Sequence, residues 1–89
     1  MPNQNLHLPV VTGEITRAAL AQADGTLLAE FRSIRGDDFD LIVTTANPTD
    51  ASRLLAAAAA VKVSGITTVE NGTRTLRADI RHIVTLALD

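Results

Sequence analysis

The stretch that decides the fold runs from Phe39 to Val69. It reads Phe39-Asp40-Leu41-Ile42-Val43-Thr44-Thr45, Asn47-Pro48-Thr49-Asp50, Ser52-Arg53-Leu54-Leu55, alanines 56–60, then Val61-Lys62-Val63-Ser64-Gly65 and Ile66-Thr67-Thr68-Val69. In the first part, Phe39, Leu41 and Val43 alternate with Asp40, Ile42 and Thr44, the period of a half-buried strand. Asn47 can then cap a helix. Pro48 suits the first helical position, where its missing N–H costs nothing, and Asp50 sets a carboxylate in the first turn. The helix is expected to run through Leu55 and the alanines, because Ala is the best helix former and lets a helix pack tightly. After it, Val61, Val63, Gly65, Thr67 and Val69 fall on one face of a further strand.

Working outward, segment 10–20 places Val11, Gly13 and Ile15 opposite Thr12, Glu14 and Thr16. Its β-branched residues favour a strand, and Gly13 predicts a bulge or bend. Asp24-Gly25 supplies the residues of a tight hairpin turn. Strand 26–34 follows, with Leu27, Ala29 and Phe31 on one face and Leu28, Glu30, Arg32 and Ile34 on the other. Arg35-Gly36-Asp37-Asp38 reads as a plain polar turn. Past the helix, Asn71-Gly72 is the strongest hairpin signal in the chain. A last strand over about 73–88 alternates Leu76, Ala78 and Ile80 with Arg77, Asp79 and Arg81. The phase slips by one at His82-Ile83-Val84, predicting a bulge before Val84, Leu86 and Leu88. Residues 1–9, bracketed by Pro2 and Pro9, read as a flexible arm ahead of one domain over 10–89.

The predicted order is β-β-β-α-β-β, an all-β chain of five strands with one helix between the third and fourth. That is the order of the OB-fold, a Greek-key barrel. At 89 residues the chain holds one small domain, which buries only roughly 60–65% of its extended surface, so self-association would help it. The absence of Cys excludes disulfides, thiolate zinc sites and a cysteine nucleophile. His7 and His82 cannot build a metal site alone. No apolar run approaches the roughly 20 residues of a membrane span, and the N-terminus lacks the pattern of a signal peptide, so a cytoplasmic protein is expected. No phosphate loop, dinucleotide fingerprint or nucleophile elbow is present, so neither an enzyme nor a cofactor is expected.

Several short stretches resemble the bacterial single-stranded-DNA-binding protein family and the related primosomal replication protein N. They are Val11-Thr12-Gly13-Glu14-Ile15, Asp24-Gly25-Thr26 leading to Ala29-Glu30-Phe31, and Phe39–Val43 through Ala51–Leu55 to Val61-Lys62-Val63-Ser64-Gly65. Gly72-Thr73-Arg74 with Leu76-Arg77-Ala78-Asp79-Ile80 completes them, so the likeness spans roughly residues 10–88. It implies an OB-fold, single-stranded DNA as partner, a role in replication or its regulation, and dimers or tetramers. The chain departs from the family in three ways. It has no Trp, the loop between the second and third strands is about four residues long and carries Asp37 and Asp38, and the 89 residues include no acidic Gly/Pro-rich tail.

Single-strand binding needs a basic groove and flat side chains for stacking. The net charge is −2 and the aromatics are Phe31 and Phe39 alone, both on the apolar phase of their strands. Phosphates would therefore be tracked by Arg17, Arg32, Arg35, Arg74, Arg77 and Arg81, with Thr44, and bases would stack on guanidinium planes. Binding would be weak and strongly salt-dependent. The competing reading pairs Arg32, Arg77 and Arg81 with Glu30, Asp40 and Asp79 across strands, as alternating signs on a solvated face do. Leu28, Ile34 and Ile42 fall on the outer phase and would form an exposed apolar patch, the mark of a subunit or protein-partner interface. The chain would then be an interaction module without nucleic-acid binding. Oligosaccharide binding, also open to this fold, normally needs aromatic platforms that are missing here.

Overall fold

In the computed structural model, residues 9–56, 60–70 and 72–86 are described. The alternating segments form β1 (Val10–Ala21), β2 (Leu27–Ser33) and β3 (Asp38–Thr44), followed by α1 (Pro48–Leu54). Then come β4 (Ala60–Ser64), β5 (Ile66–Glu70), β6 (Thr73–Asp79) and β7 (Ile83–Thr85). All seven strands belong to one sheet in the order β5-β6-β3-β2-β1-β4-β7. Every pairing is antiparallel except β3 with β6.

The chain is all-β in class, with one short helix where it was expected. The strand count differs from five because two predicted strands are each broken once. Segment 61–69 divides at Gly65 into β4 and β5, which stand far apart in the sheet order although one residue separates them. Gly65 lies so close to β6 that a Cβ would fall on the Arg77 carbonyl oxygen. Beyond it the predicted inward face is lost: Thr67 and Val69 are exposed, because β5 pairs only with β6. Segment 73–88 is broken by a 3-10 turn at Ile80–His82, capped by Asp79, whose side chain accepts from the Arg81 N–H. A turn, not a bulge, causes the phase slip. It puts Ile83 in the core and leaves Val84 56% exposed.

Gly13 also behaves differently from a bulge. Register slips occur further on, between Ile15 and Arg17 and between Arg17 and Leu20. Gly13 instead pairs on both edges, with Ser33 of β2 and Val61 of β4, and a Cβ there would fall on the Arg32 carbonyl oxygen. The residue is needed for close backbone approach.

The core takes the predicted faces: Ile15, Leu27, Ala29, Phe31, Leu41, Val43, Val61, Val63 and Leu76 are buried, joined by Ala51 and Leu55 from the helical segment. The helix is shorter than its Ala run suggests. The Leu55 N–H still donates to Ala51, but the Leu55 carbonyl accepts from Ala19 of β1 at 3.3 Å. Alanines 57–59, Asn71, residues 1–8 of the proposed arm over 1–9, and residues 87–89 with Leu88 at the end of the last predicted strand lie outside the described residues. No described helix is long and apolar enough to cross a membrane.

Two tight turns set the ends of β2. Gln22 and Thr26 close the β1–β2 hairpin, with Gly25 at φ 88°, and both the backbone N–H and hydroxyl of Thr26 donate to Asp24 Oδ1. At the other end, Ser33 N–H donates to the Asp37 carbonyl at 2.8 Å, its hydroxyl accepts from Asp37 N–H at 3.2 Å, and Gly36 takes φ 93°. Ser33 itself is buried. This second turn fixes Asp37 and Asp38 at the start of β3.

A candidate nucleic-acid groove at Phe39

Phe31 and Phe39 are direct partners across β2 and β3, with ring centroids 6.2 Å apart and planes inclined at 50°. Alternation predicts both to be core. Phe31 is fully buried, whereas Phe39 packs on the core but remains partly exposed. Its position at the first turn of β3 explains the difference: the strand phase aims it inward, but the sheet ends there.

Phe39 forms part of a groove of about 660 Å³ between β2–β3 and the β5–β6 hairpin. The groove's charged lining residues are Arg32, Arg74, Glu30, Asp38 and Asp40, with Val69, Gly72 and Thr73 from the hairpin. Cation and anion therefore share the wall. Arg32 Nε donates to Asp38 Oδ1 at 2.8 Å, directly across the β2–β3 register. That bond raises the arginine's pKa and lowers that of Asp38. Arg74 Nη1 donates to Asp37 Oδ1, also at 2.8 Å, and ties the start of β6 to the β2–β3 turn. Arg17 bonds Glu30 at 3.2 Å across β1 and β2.

The other predicted phosphate contacts do not join this groove. Arg35 sits in the turn and lines a separate hollow of about 390 Å³ with Val10, Val11, Ile34 and Asp37, on which Phe39 also borders. Thr44 and Arg77 line a third, smaller one with Asp79 and His82. There Thr44 Oγ1 donates to Asp79 Oδ2 at a long 3.5 Å, and Arg81 Nε donates to Asp79 Oδ1 at 3.0 Å. The Arg81 bonds, first the side chain's and then the backbone's, hold the Asp79 carboxyl below its ordinary range. Arg17, Arg32, Arg74 and Arg81 thus stand in separate ion pairs, not along a single basic track. Their partners also differ from those expected: Arg32 takes Asp38, not Glu30 or Asp40, while Arg81 takes Asp79 two residues away instead of across strands.

The predicted apolar patch is divided too. Leu28 and Ile42 are register partners on the outer face, and both are half-buried. Leu20, opposite Leu28 on β1, extends their row and is 64% exposed. Ile34 lies outside this row because β2 ends at Ser33; it projects from the turn, 80% exposed.

The sequence presents Asp37 and Asp38 only as turn carboxylates and a departure from the single-strand-binding family; the structure pairs them with Arg74 and Arg32. No family model matches the chain, and no curated protein matches it.

Proposed function

We propose that this protein is an OB-type barrel that binds single-stranded nucleic acid weakly through the Phe39 groove. What supports a barrel is the way the broken strands can be joined: β4 with β5 as one bent strand, β6 with β7 as another. Five strands then remain. The two halves of the fourth strand pair with β1 on one side and with β6 on the other, as they would in a sheet that returns on itself. The likeness to single-stranded-DNA-binding proteins points the same way, and it supplies the role in replication or its regulation. The observation that carries the ligand reading is Phe39, a partly exposed ring that lines a groove of about 660 Å³ together with Arg32 and Arg74. One stacked base contributes roughly 1–3 kcal/mol, and two or three phosphate contacts would add a salt-dependent part. Titration of fluorescent oligo-dT at about 50 and about 200 mM salt tests it. Binding in the micromolar range that weakens with salt is expected; no binding at low salt refutes it.

A second reading has its own support. Leu20, Leu28 and Ile42 form a continuous outer row across β1, β2 and β3. In a homo-oligomer this row would be covered by a second copy, and the chain would serve as an assembly module. Ile42→Glu should then lower the mass seen by light scattering; an unchanged mass argues against the interface.

A further inference from the structure

The two arginines that line the Phe39 groove are each already bonded to a carboxylate, and both carboxylates come from one turn. Arg32 holds Asp38 and Arg74 holds Asp37, each at 2.8 Å, and the next residue in the chain is Phe39. The turn is set from inside by buried Ser33, which bonds both the carbonyl and the N–H of Asp37. Asp38 is set by its register with Arg32. A carboxylate offers a guanidinium the same kind of charged acceptor oxygens as a phosphate diester does. Both pairs are half-exposed to solvent, so exchange of partner is accessible.

Resting on the nucleic-acid reading above, we propose that Asp37 and Asp38 are an internal phosphate mimic, which holds Arg32 and Arg74 until the phosphates of a single strand displace it. Binding is then an exchange of acceptors. Each carboxylate released takes up a cation from solution, which cancels an ion given up by the nucleic acid. The unmodified protein therefore binds weakly and with a shallow salt dependence for its number of arginines.

The test compares fluorescent oligo-dT titrations of the wild-type protein with those of Asp37→Asn, Asp38→Asn and Asp40→Asn at several salt concentrations. Asp40 lines the same groove but stands outside both ion pairs, so its replacement removes equal charge without freeing an arginine. Asp37→Ser and Asp38→Ser accompany them, because an amide oxygen can still accept from the guanidinium. Asp37 and Asp38 variants should bind up to roughly fivefold tighter and steepen the log–log salt slope by about 0.7 per freed arginine. Asp40→Asn should change affinity less and leave the slope alone. Equal effects at all three positions overturn the exchange and leave general repulsion. So does wild-type binding that the Asp37 and Asp38 variants fail to improve. If no protein binds, the nucleic-acid reading itself fails; if only the Asp37 and Asp38 variants bind, the exchange is overturned as well, because phosphates then do not displace the carboxylates in the unmodified protein.

Discussion

Phe31 and Phe39 face each other across two strands at 6.2 Å, yet one is sealed in the core and the other reaches a groove. Their replacements should therefore separate stability from binding. Phe31→Ala leaves a cavity among Ile15, Ala29 and Leu41 and should cost roughly 3–5 kcal/mol in urea unfolding. Phe39→Ala should cost less than half as much, about 1–2 kcal/mol. It should nonetheless weaken oligo-dT binding by roughly fivefold or more, through lost stacking. Equal stability losses, with binding untouched by Phe39→Ala, would remove the ring from the site.

The groove arginines and those outside it should behave differently. Arg32→Ala and Arg74→Ala should each weaken oligo-dT binding with little change in its salt slope, because the carboxylate each arginine releases already offsets the ion its phosphate contact frees. Arg81→Ala, whose partner Asp79 borders another hollow, should leave both near wild type. A uniform response across the three would return the arginines to a diffuse electrostatic role. Fluorescence anisotropy over a salt series reads the difference.

Glycine at two positions meets different demands. At Gly13 any side chain runs into the Arg32 backbone, so Gly13→Ala should cost roughly 3 kcal/mol or more by overpacking. At Gly25 there is open space but φ is 88°, so Gly25→Ala should cost only about 1–2 kcal/mol. Chemical denaturation of the two variants gives the order directly; a reversed order would mean that β1 can shift away from β2.

Acid should weaken the fold through three carboxylates. Asp24, Asp38 and Asp79 each titrate below the ordinary 3.8, held chiefly by side-chain hydrogen bonds from Thr26, Arg32 and Arg81 respectively. A folded-state value below the unfolded one means stability that is fully present above pH 3.8 and is lost as pH falls through the depressed values. Thermal melts from neutral pH downward should be flat until about pH 4 and then decline, less steeply in high salt because the Arg32–Asp38 pair is exposed to screening. Asp38→Asn should flatten part of that decline. An onset well above pH 5 would point to other groups.

The strands and turns were legible because each is written locally. Alternation placed Leu27, Ala29, Phe31, Leu41 and Val43 inward, and Asp24-Gly25 marked its hairpin. The break at Gly65 was not legible, because Val61, Val63, Gly65, Thr67 and Val69 keep one phase straight through it. What changes there is the neighbouring strand, and periodicity carries no record of neighbours. Phe39 shows the same limit in another direction: its phase aims it at the core, but distance from the sheet's end is not a property of phase. The Arg74–Asp37 pair spans 37 residues and exists only because the β5–β6 hairpin folds over the β2–β3 turn. The apolar set of Leu28, Ile34 and Ile42 was grouped by phase alone, and the turn took Ile34 out of it.

The parallel pairing of β3 with β6 joins residues 40–44 to residues 75–79, and among the described residues nothing nearer in the chain occupies that side of β3. During synthesis, β1 and β2 can zip onto β3 early, while its far edge waits for the C-terminal third to leave the ribosome. For that interval the nascent chain displays Leu41 and Val43 beside open backbone donors and acceptors, an invitation to a neighbouring chain. Premature termination before residue 73 would make that invitation permanent, so fragments of this protein should be more prone to aggregate than the finished chain.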